Sequence, residues 1–265
     1  MNDKLNESYY RKIRPKKSLG QHFLKDLSVA ERIAETLSPI PDLPVLEVGP
    51  GTGVLTQFLL KNNRDLTVVE LDKDSVAYLN GHYPELKGRI LEADFLQLNL
   101  SALFPGKFCV IGNYPYNISS QIFFKVLENR DRIPCCSGML QKEVAERLAS
   151  KPGKKAYGIT SVLLQAWYDI EYLFTVGPEV FDPPPKVTSA VIRATRNERK
   201  ELGCNESLFK TVVKTAFNQR RKTLRNSLKS LLGKENEIAS LPVFDKRPEQ
   251  LSVEEFIELT NRFEG

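Results

Sequence analysis

The chain contains 265 residues with a formal net charge of +5; 41% of its residues are hydrophobic and 27% are charged, which excludes a chain that is largely disordered. No apolar run approaches the roughly 18 residues of a membrane span, and residues 1–17 lack the apolar segment of a secretory signal, so we expect a cytoplasmic protein. The four cysteines and two histidines have neither zinc-site nor disulfide-framework spacing, so we expect no metal.

The first half of the chain alternates between predicted strands and helices. Residues 28–37 have helical spacing of apolar side chains, and three prolines between 39 and 44 end that segment. Short apolar runs predict strands at 45–49, 66–70, 89–93, 108–112 and 137–141, with helical patterns between them near 55–60, 73–79, 119–127 and 143–149. This alternation predicts an α/β fold with a doubly wound, mostly parallel sheet.

Two further strands complete a predicted seven-stranded sheet. A helical pattern at 157–168 is followed by strand-like runs at 170–176 and 187–194. The loop that joins these two runs contains four prolines, and such a loop allows the chain to return antiparallel to the sheet edge.

The composition changes near residue 196, where the strand patterns stop. Helical patterns cover 205–217, 221–232, 238–241 and 253–262, and a capping box precedes the last of these. We therefore predict three parts: a flexible basic arm at residues 1–17, an α/β domain at 18–195 and a small all-α domain at 196–265.

Basic residues are concentrated at the two ends of the chain. Residues 1–17 contain six basic and two acidic residues, and residues 186–232 contain twelve basic and three acidic ones. Such a distribution indicates a polyanionic partner such as a nucleic acid, although a charged surface also serves solubility.

The ends of the first three predicted strands carry residues suited to a ligand. Residues 47–53 read Glu-Val-Gly-Pro-Gly-Thr-Gly, and glycines after a strand let backbone N–H groups approach a ligand closely. Glu70 ends the second strand, 21 residues after Gly49, which is the spacing of an acid that binds a ribose diol. Asp94 follows the third strand. Because the carboxyl ends of parallel strands meet at one crevice, this set predicts a nucleoside cofactor.

The charge of the crevice distinguishes between cofactors. The glycine spacing is G-x-G-x-G rather than the G-x-G-x-x-G of dinucleotide-binding turns, and Glu47 lies just before the first glycine. Carboxylates repel a pyrophosphate but attract the ammonium and sulfonium groups of S-adenosyl-L-methionine. We therefore predict S-adenosyl-L-methionine as the cofactor.

The fourth strand ends in Asn113-Tyr114-Pro115-Tyr116, which suits an adenine amine. That amine is a poor nucleophile, because its lone pair is delocalised into the ring. The side-chain oxygen of Asn113 and the carbonyl of Tyr114 are able to accept its hydrogen bonds, which favours a pyramidal nitrogen. Pro115 fixes the backbone and Tyr116 offers a face for stacking a base. Methyl transfer then needs positioning more than a strong base.

In combination these motifs resemble those of the ribosomal RNA adenine N6-dimethyltransferases over nearly the whole chain. The resemblance rests on residues 17–24 (Lys-Ser-Leu-Gly-Gln-His-Phe-Leu), 47–53, 113–119 (Asn-Tyr-Pro-Tyr-Asn-Ile-Ser), 181–187 (Phe-Asp-Pro-Pro-Pro-Lys-Val) and 216–222 (Ala-Phe-Asn-Gln-Arg-Arg-Lys), with Glu70 and Asp94. It implies a Rossmann-like class I methyltransferase with a C-terminal RNA-binding domain. It also implies dimethylation of two adjacent adenosines near the 3′ end of 16S ribosomal RNA, in a 30S precursor particle. We expect a monomer.

The resemblance further implies roles for individual residues. The expected cofactor contacts are Gln21, His22, Leu24, Glu47, Gly49, Gly51, Glu70, Leu71, Asp94, Phe95 and Asn113. Glu70 would bind the ribose hydroxyls and Asp94 the adenine amino group. The expected catalytic residues are Asn113, Tyr114, Pro115, Tyr116 and Phe181, with the aromatic side chains of Tyr116 and Phe181 stacking on the target adenine. For Phe181, a place in the apolar core is an equal alternative. The family usually has leucine in place of Tyr114, where the backbone carbonyl is the functional group.

A basic stripe in the C-terminal domain predicts contact with RNA phosphates. Its residues are Arg220, Arg221, Lys222 and Arg225, beside an apolar stripe of leucines on the same predicted helix. A solvated face is the alternative. We favour phosphate contacts because the stripe lies in a small domain that follows an active site suited to RNA.

Three other interpretations stay open. A sister group that methylates large-subunit RNA and confers macrolide resistance usually has Gln-Asn-Phe where this chain has Gln-His-Phe at 21–23. A non-catalytic assembly factor is disfavoured by the intact Asn113, Pro115 and Tyr116. A nicotinamide-dependent oxidoreductase would need a phosphate-binding loop and a proton donor that the sequence does not present.

Overall fold

The computed structural model describes residue 16 and residues 20–40, 42–232 and 237–264. The predicted arm at 1–17, apart from Lys16, therefore lies outside the described residues. The strands are β1 (Phe23–Leu24), β2 (Val45–Val48), β3 (Leu66–Glu70), β4 (Ile90–Glu92), β5 (Cys109–Asn113), β6 (Cys135–Gln141), β7 (Tyr168–Val176), β8 (Phe181–Asp182) and β9 (Ser189–Arg196). The helices are α1 (Leu27–Glu35), α2 (Thr56–Lys61), α3 (Lys73–His82), α4 (Leu100–Leu103), α5 (Ser119–Glu128), α6 (Lys142–Leu148), α7 (Ile159–Gln165), α8 (Glu206–Asn218), α9 (Leu224–Ser227), α10 (Lys229–Leu232) and α11 (Val253–Glu264).

Seven strands form one sheet in the order β4-β3-β2-β5-β6-β9-β7. The pairs β4/β3, β3/β2, β2/β5 and β5/β6 are parallel, and β9 runs antiparallel to β6. The prediction of a mostly parallel, seven-stranded sheet of the Rossmann-like class is therefore confirmed. Each of these seven strands begins and ends within two residues of the predicted one.

The middle of the sheet is buried, which explains why its strands are short apolar runs. All four residues of β2 are buried, including Glu47. Helix α1 packs its apolar side chains, among them Ala30 and Ile33, into the same core. Asp26 begins this helix by accepting hydrogen bonds from the backbone N–H groups of Ser28 (2.9 Å) and Val29 (3.3 Å).

A second, two-stranded sheet was not predicted. Strand β1 pairs antiparallel with β8, so that Leu24 lies opposite Phe181. Both side chains are buried in the core, at 4% and 0% exposure. This pairing brings the segment after residue 20 next to the proline-rich loop, although the two are far apart in sequence.

The chain divides into two compact units that differ from the predicted domains in one segment. One unit comprises Met1–Ala145 and Glu171–Arg196, and the other comprises Glu146–Ile170 and Asn197–Gly265. The sequence analysis placed residues 146–170 in the α/β domain. The structure groups them with the C-terminal helices, because α7 buries Val162, Leu163 and Leu164 and packs against α8 and α11.

The helix predicted at 221–232 is two short helices instead. Residues 221–223 precede α9, and the chain leaves the helical conformation at Leu228 before α10 begins. The buried side chains of Leu224 and Leu228 keep the predicted apolar side facing inward. The basic residues at 220–222 therefore lie in a turn and not on a continuous helix.

Gly112 provides a test of the packing between β5 and β2. A Cβ at this position would lie 2.5 Å from the backbone oxygen of Val48 and 3.0 Å from the ring of Tyr114. We expect Gly112→Ala to lower the free energy of unfolding by about 2 kcal/mol or more, because backbone atoms of the sheet cannot move aside. Chemical denaturation measures this change.

The control is Gly106→Ala, since a Cβ there meets nothing within 4 Å and neither glycine has a positive φ. Equal stabilities of the two variants would contradict the tight strand packing.

Candidate active site

One cleft opens at the carboxyl ends of the parallel strands β2 to β5. The segment after Gly20 forms its remaining wall. All but Phe181 of the residues predicted to bind the cofactor or to act in catalysis line this cleft, and the loop of residues 113–116 is called the catalytic loop below. The lining residues are Gln21, His22, Leu24, Glu47, Gly49, Gly51, Glu70, Leu71, Asp94, Phe95, Asn113, Tyr114, Pro115 and Tyr116. The topology thus brings together side chains from five separate stretches of sequence.

Glu70 holds the glycine turn against the end of β3. One carboxylate oxygen accepts a hydrogen bond from the N–H of Gly51 (3.0 Å). The other accepts from the N–H groups of Leu71 (2.8 Å) and Asp72 (2.9 Å). Gly51 has a φ of +57°, which glycine adopts without strain, and a Cβ there would lie 3.2 Å from the ring of Phe23. The turn and the segment 20–24 therefore depend on each other's shape.

Glu47 is a buried carboxyl group beneath the cleft. It is 1% exposed, and the hydroxyl of Thr56 donates to its Oε2 at 2.7 Å. Burial raises the pKa of Glu47 to about 8; the Thr56 hydrogen bond opposes this rise, and the nearby Glu70 adds to it. Burial also raises the pKa of Glu70, against the effect of its backbone hydrogen bonds. Two buried carboxyl groups with little compensating charge favour a cationic ligand.

A short 3₁₀ turn, Phe95–Gln97, lies at the end of β4. Asp94 caps it, because its Oδ1 accepts a hydrogen bond from the N–H of Leu96 at 2.9 Å. The ring of Phe95 is buried at the cleft wall, whereas Leu71, on the neighbouring strand end, is 52% exposed. A carboxylate and two apolar side chains that line the same cleft suit the edge and faces of an adenine ring.

The amide of Asn113 has a defined orientation. Its Nδ2 donates to the backbone oxygen of His22 at 3.3 Å, and Oδ1 is therefore the atom on the opposite side of the amide. His22 is itself held, because Nδ1 lies 3.0 Å from the carbonyl oxygen of Pro183 and the ring stacks on Tyr116 with centroids 5.4 Å apart. The Tyr116 hydroxyl is hydrogen-bonded to that of Ser189. The ring of His22 thus contacts the aromatic side of the cleft.

Tyr114 is directed into the sheet. Its side chain is buried, its hydroxyl donates to the backbone oxygen of Ser137 at 2.6 Å, and its N–H donates to the oxygen of Met139 at 2.9 Å. Burial raises the pKa of this phenol well above its ordinary value, so that it stays protonated. The ring fixes the backbone of the catalytic loop to β6.

The structure places Phe181 in the core and not in the cleft, so its stacking on a target base stays a prediction. Its ring is 0% exposed, belongs to the apolar core and does not line the cleft. The cause is the pairing of β8 with β1, which turns Phe181 inward beside Leu24 and leaves Asp182 outward.

A polar cluster at the start of α3 was missed by the sequence analysis. Asp72 is 2% exposed and forms an ion pair with Lys16, whose ammonium also lies 2.7 Å from Asp74. The side-chain amide of Gln21 is 3.5 Å from Asp72. Hydrogen bonds and charge from Lys16 lower the pKa of Asp72, although its burial opposes this. The position of Asp72, two residues after Glu70, was the available signal.

The predicted RNA-binding residues differ in their surroundings. Arg221 and Lys222 are exposed. Arg220 donates to the backbone oxygen of Lys154 at 3.4 Å and lies 3.9 Å from Glu249. Arg225 forms an ion pair with Asp245 at 2.6 Å and also donates to the oxygen of Ala239. The guanidinium of Arg225 thus connects α9 to residues 239 and 245, and its contact with a phosphate stays a prediction.

The cleft fits S-adenosyl-L-methionine in chemical terms. A cationic methionine end would give the buried carboxyl groups of Glu47 and Glu70 a counter-charge and favour their ionised forms, and the glycine turn and the Asp94–Phe95 pair suit a nucleoside. No group of three or more residues able to hold a metal ion occurs in the part of the chain that the structure describes. Within those same residues, no helix is long and apolar enough to cross a membrane. The fold and the cleft define a class I methyltransferase that uses S-adenosyl-L-methionine.

Comparison with known proteins identifies the family. The model described as ribosomal RNA adenine dimethylase matches residues 13–264, and the chain belongs to that family. It is therefore an enzyme that dimethylates adenine in ribosomal RNA. A ribosomal RNA small subunit methyltransferase A from Parabacteroides distasonis is 74% identical over 250 residues, 94% of each chain. The protein of that name from Phocaeicola vulgatus is 67% identical over 254 residues, 96% of this chain and 91% of its own.

Two solved structures have the same fold. A dimethyladenosine transferase from Plasmodium falciparum matches with a TM-score of 0.78 and 23% identity, covering 92% of this chain and 98% of its own. The 23S rRNA methyltransferase ErmE matches with a TM-score of 0.65 and 27% identity, covering 92% of this chain and 100% of its own.

The raised pKa of Glu47 predicts a pH-dependent stability. The ligand-free folded protein holds a proton on Glu47 up to pH of about 8, whereas the unfolded chain releases it near the ordinary value of 4.5. This contribution to stability is complete below pH 4.5 and is lost as the pH rises to 8. We expect Glu47→Gln to be increasingly more stable than the native protein over that range, as measured by thermal unfolding.

The exposed Glu85 provides the matched control, since Glu85→Gln should follow the native protein at every pH. A constant difference between Glu47→Gln and the native protein would contradict the buried-carboxyl account.

Proposed function

We propose that this enzyme dimethylates N6 of two adjacent adenosines near the 3′ end of small-subunit ribosomal RNA. We infer that it acts as a cytoplasmic monomer on a 30S precursor particle. The proposal rests on the loop of Asn113 to Tyr116, which shares one cleft with Glu47, Glu70 and Asp94. The names of the relatives at 74% and 67% identity support the small subunit as the source of the RNA.

In this proposal, the end of each strand contacts a different part of the cofactor. Glu47 and the segment 21–24 contact the methionine end, whose positive charge favours the ionised form of the Glu47 carboxyl group. Glu70 keeps lone pairs beyond its three backbone hydrogen bonds and accepts from the ribose hydroxyls. Asp94 uses Oδ1 for its own turn, which leaves Oδ2 for the adenine amino group. Phe95 and Leu71 flank the ring.

The catalytic loop prepares the target amine. Asn113 directs Oδ1 away from His22, and Oδ1 and the Tyr114 carbonyl accept the two N–H groups of N6. Accepting both favours a pyramidal nitrogen with its lone pair free. Tyr116, held by Ser189 and His22, offers its ring to the target base. When bound, S-adenosyl-L-methionine supplies an electrophilic methyl group on a sulfonium.

The C-terminal unit supplies phosphate contacts in this proposal. Arg221 and Lys222 are exposed in the turn before α9. The hydrogen bond from Arg220 to Lys154 brings the exposed loop 151–155, which contains three lysines, next to this turn. The loop and the turn together carry five exposed cations, and several neighbouring cations are suited to binding the phosphates of an RNA backbone.

A second candidate substrate is large-subunit ribosomal RNA. It is favoured by the similarity to the 23S rRNA methyltransferase ErmE, at 27% identity over the full length of that chain. The much higher identity to small-subunit enzymes supports the first candidate.

Labelling tests the proposal. The protein is incubated with tritiated S-adenosyl-L-methionine and either immature small subunits or large subunits that lack the modification, and labelled nucleosides are mapped. We expect N6,N6-dimethyladenosine at two adjacent positions near the 3′ end of the small-subunit RNA. Label confined to large-subunit RNA would support the second candidate instead.

Substitutions of Asn113 and Glu70 should have different effects on turnover and on cofactor affinity. We expect Asn113→Ala to lower kcat by about a hundredfold or more with a nearly unchanged cofactor Kd, because it removes an acceptor of the target amine. We expect Glu70→Ala to raise the cofactor Kd more than it lowers kcat, since it removes the carboxylate that accepts the hydrogen bond of the glycine turn. Single-turnover kinetics and calorimetry measure the two quantities.

Both variants are compared with Asn80→Ala, on the exposed side of α3. Wild-type turnover of Asn113→Ala would refute its assigned role.

Arg221→Glu combined with Lys222→Glu should weaken binding to small-subunit RNA and reduce the slope of log affinity against log salt, because fewer counterions are released. Filter binding at several salt concentrations measures both. The control is Lys87→Glu with Lys107→Glu, which changes the net charge equally at exposed positions of the other unit. Equal losses in the two double variants would indicate a general charge effect and not a phosphate site.

A further inference from the structure

Lys125 connects the helix after the catalytic loop to the turn at the end of β4. It is a partly buried residue of α5, and its ammonium donates to the backbone oxygens of Leu96 and Leu98, both at 2.7 Å. The same ammonium lies 5.7 Å from the centre of the Phe95 ring. Neither the sequence motifs nor the proposed catalysis accounts for this cation.

The carbonyl groups of Leu96 and Leu98 lie towards the C-terminal end of the turn that Asp94 begins. Asp94 satisfies the N-terminal end of this turn through its bond to Leu96, and Lys125 satisfies the C-terminal end. The turn is therefore closed by a charged side chain at each end. A short 3₁₀ turn has few hydrogen bonds of its own, so these two contacts add to the backbone bonds and the packing of Phe95 in fixing where Asp94 and Phe95 lie.

Charge strengthens the arrangement. Hydrogen bonds from an ammonium are about twice as strong as neutral ones, and the cation also attracts the ring of Phe95. Burial lowers the pKa of Lys125, while Glu128 and Asp94 oppose this.

We propose that Lys125 is a positioning residue for the cofactor's adenine, acting through the hydrogen bonds that fix the turn bearing Asp94 and Phe95. The inference rests on the proposed placement of the adenine at Asp94. It predicts that Lys125 affects how the site recognises the 6-amino group more than how it binds the rest of the cofactor.

The test is calorimetric binding to the full chain, without RNA, so that it is independent of which ribosomal RNA is methylated. The two probes are S-adenosylhomocysteine and S-inosylhomocysteine, which has an oxygen in place of the 6-amino group. We expect the native protein to prefer the adenosyl compound, because Asp94 accepts from the amino group.

The variant Lys125→Met keeps the length of the side chain but removes its charge and donors. We expect its Kd for S-adenosylhomocysteine to rise about tenfold, because charged hydrogen bonds to two carbonyls are lost. We expect its Kd for S-inosylhomocysteine to change much less, so that discrimination falls. Lys125→Arg should restore most of the preference for S-adenosylhomocysteine over S-inosylhomocysteine. For Lys125→Met, the loss should appear in cofactor binding, with a kcat at saturating cofactor close to the native value.

The control is Gln121→Ala, an exposed position on the same helix, which should bind both probes as the native protein does. Thermal unfolding of each variant identifies a loss that comes from misfolding. An unchanged preference in a folded Lys125→Met variant, or equal loss of both probes, would overturn the proposal. If the native protein itself showed no preference for the adenosyl compound, the placement of adenine at Asp94 would fail instead.

Discussion

The cleft of this methyltransferase depends on the carboxylate of Glu70. This one side chain accepts three backbone hydrogen bonds, and these connect the glycine turn after β2 to the start of α3. Without an acceptor there, three N–H groups would be left unsatisfied at the centre of the site, and the turn would lose its fixed shape. Burial raises the pKa of both Glu70 and Glu47, so that a cationic ligand, which favours the ionised carboxylates, is the ligand that these two groups suit. Architecture and ligand preference thus come from the same residues.

The pairing of β1 with β8 is the second constraint. It holds the segment 20–24 over the cleft, and the backbone oxygen of His22 in turn orients the amide of Asn113. The His22 ring is hydrogen-bonded to the backbone oxygen of Pro183 and stacks on Tyr116, so the wall of the cofactor cleft contacts the aromatic side of the catalytic loop. A cofactor held against segment 20–24 would therefore also influence the position of the target amine.

Much of the sheet and most of the cleft could be predicted from the sequence, because buried parallel strands are short apolar runs and their carboxyl ends meet at one edge. What could not be predicted depends on contacts between distant residues. Strands of two residues carry no periodicity, so β1 and β8 were missed, and the sequence could not decide between a core and a cleft position for Phe181. Arg225 has the sequence context of a phosphate ligand, but Asp245 pairs with it. The contact of Lys125 with the 3₁₀ turn after Asp94 likewise has no signal in the neighbouring sequence.

The account claims above all that Asn113 Oδ1 and the Tyr114 carbonyl together receive the target amine beside the carboxylate-lined cofactor cleft. A crystal structure of the protein with S-adenosylhomocysteine and an adenosine-containing RNA fragment tests this claim most directly. We predict that N6 of one adenosine lies within hydrogen-bonding distance of both oxygens, with the adenine of S-adenosylhomocysteine at Asp94 and its ribose at Glu70. An adenosine bound with N6 directed away from Asn113, or a cofactor product outside the reach of Glu70 and Asp94, would contradict the account.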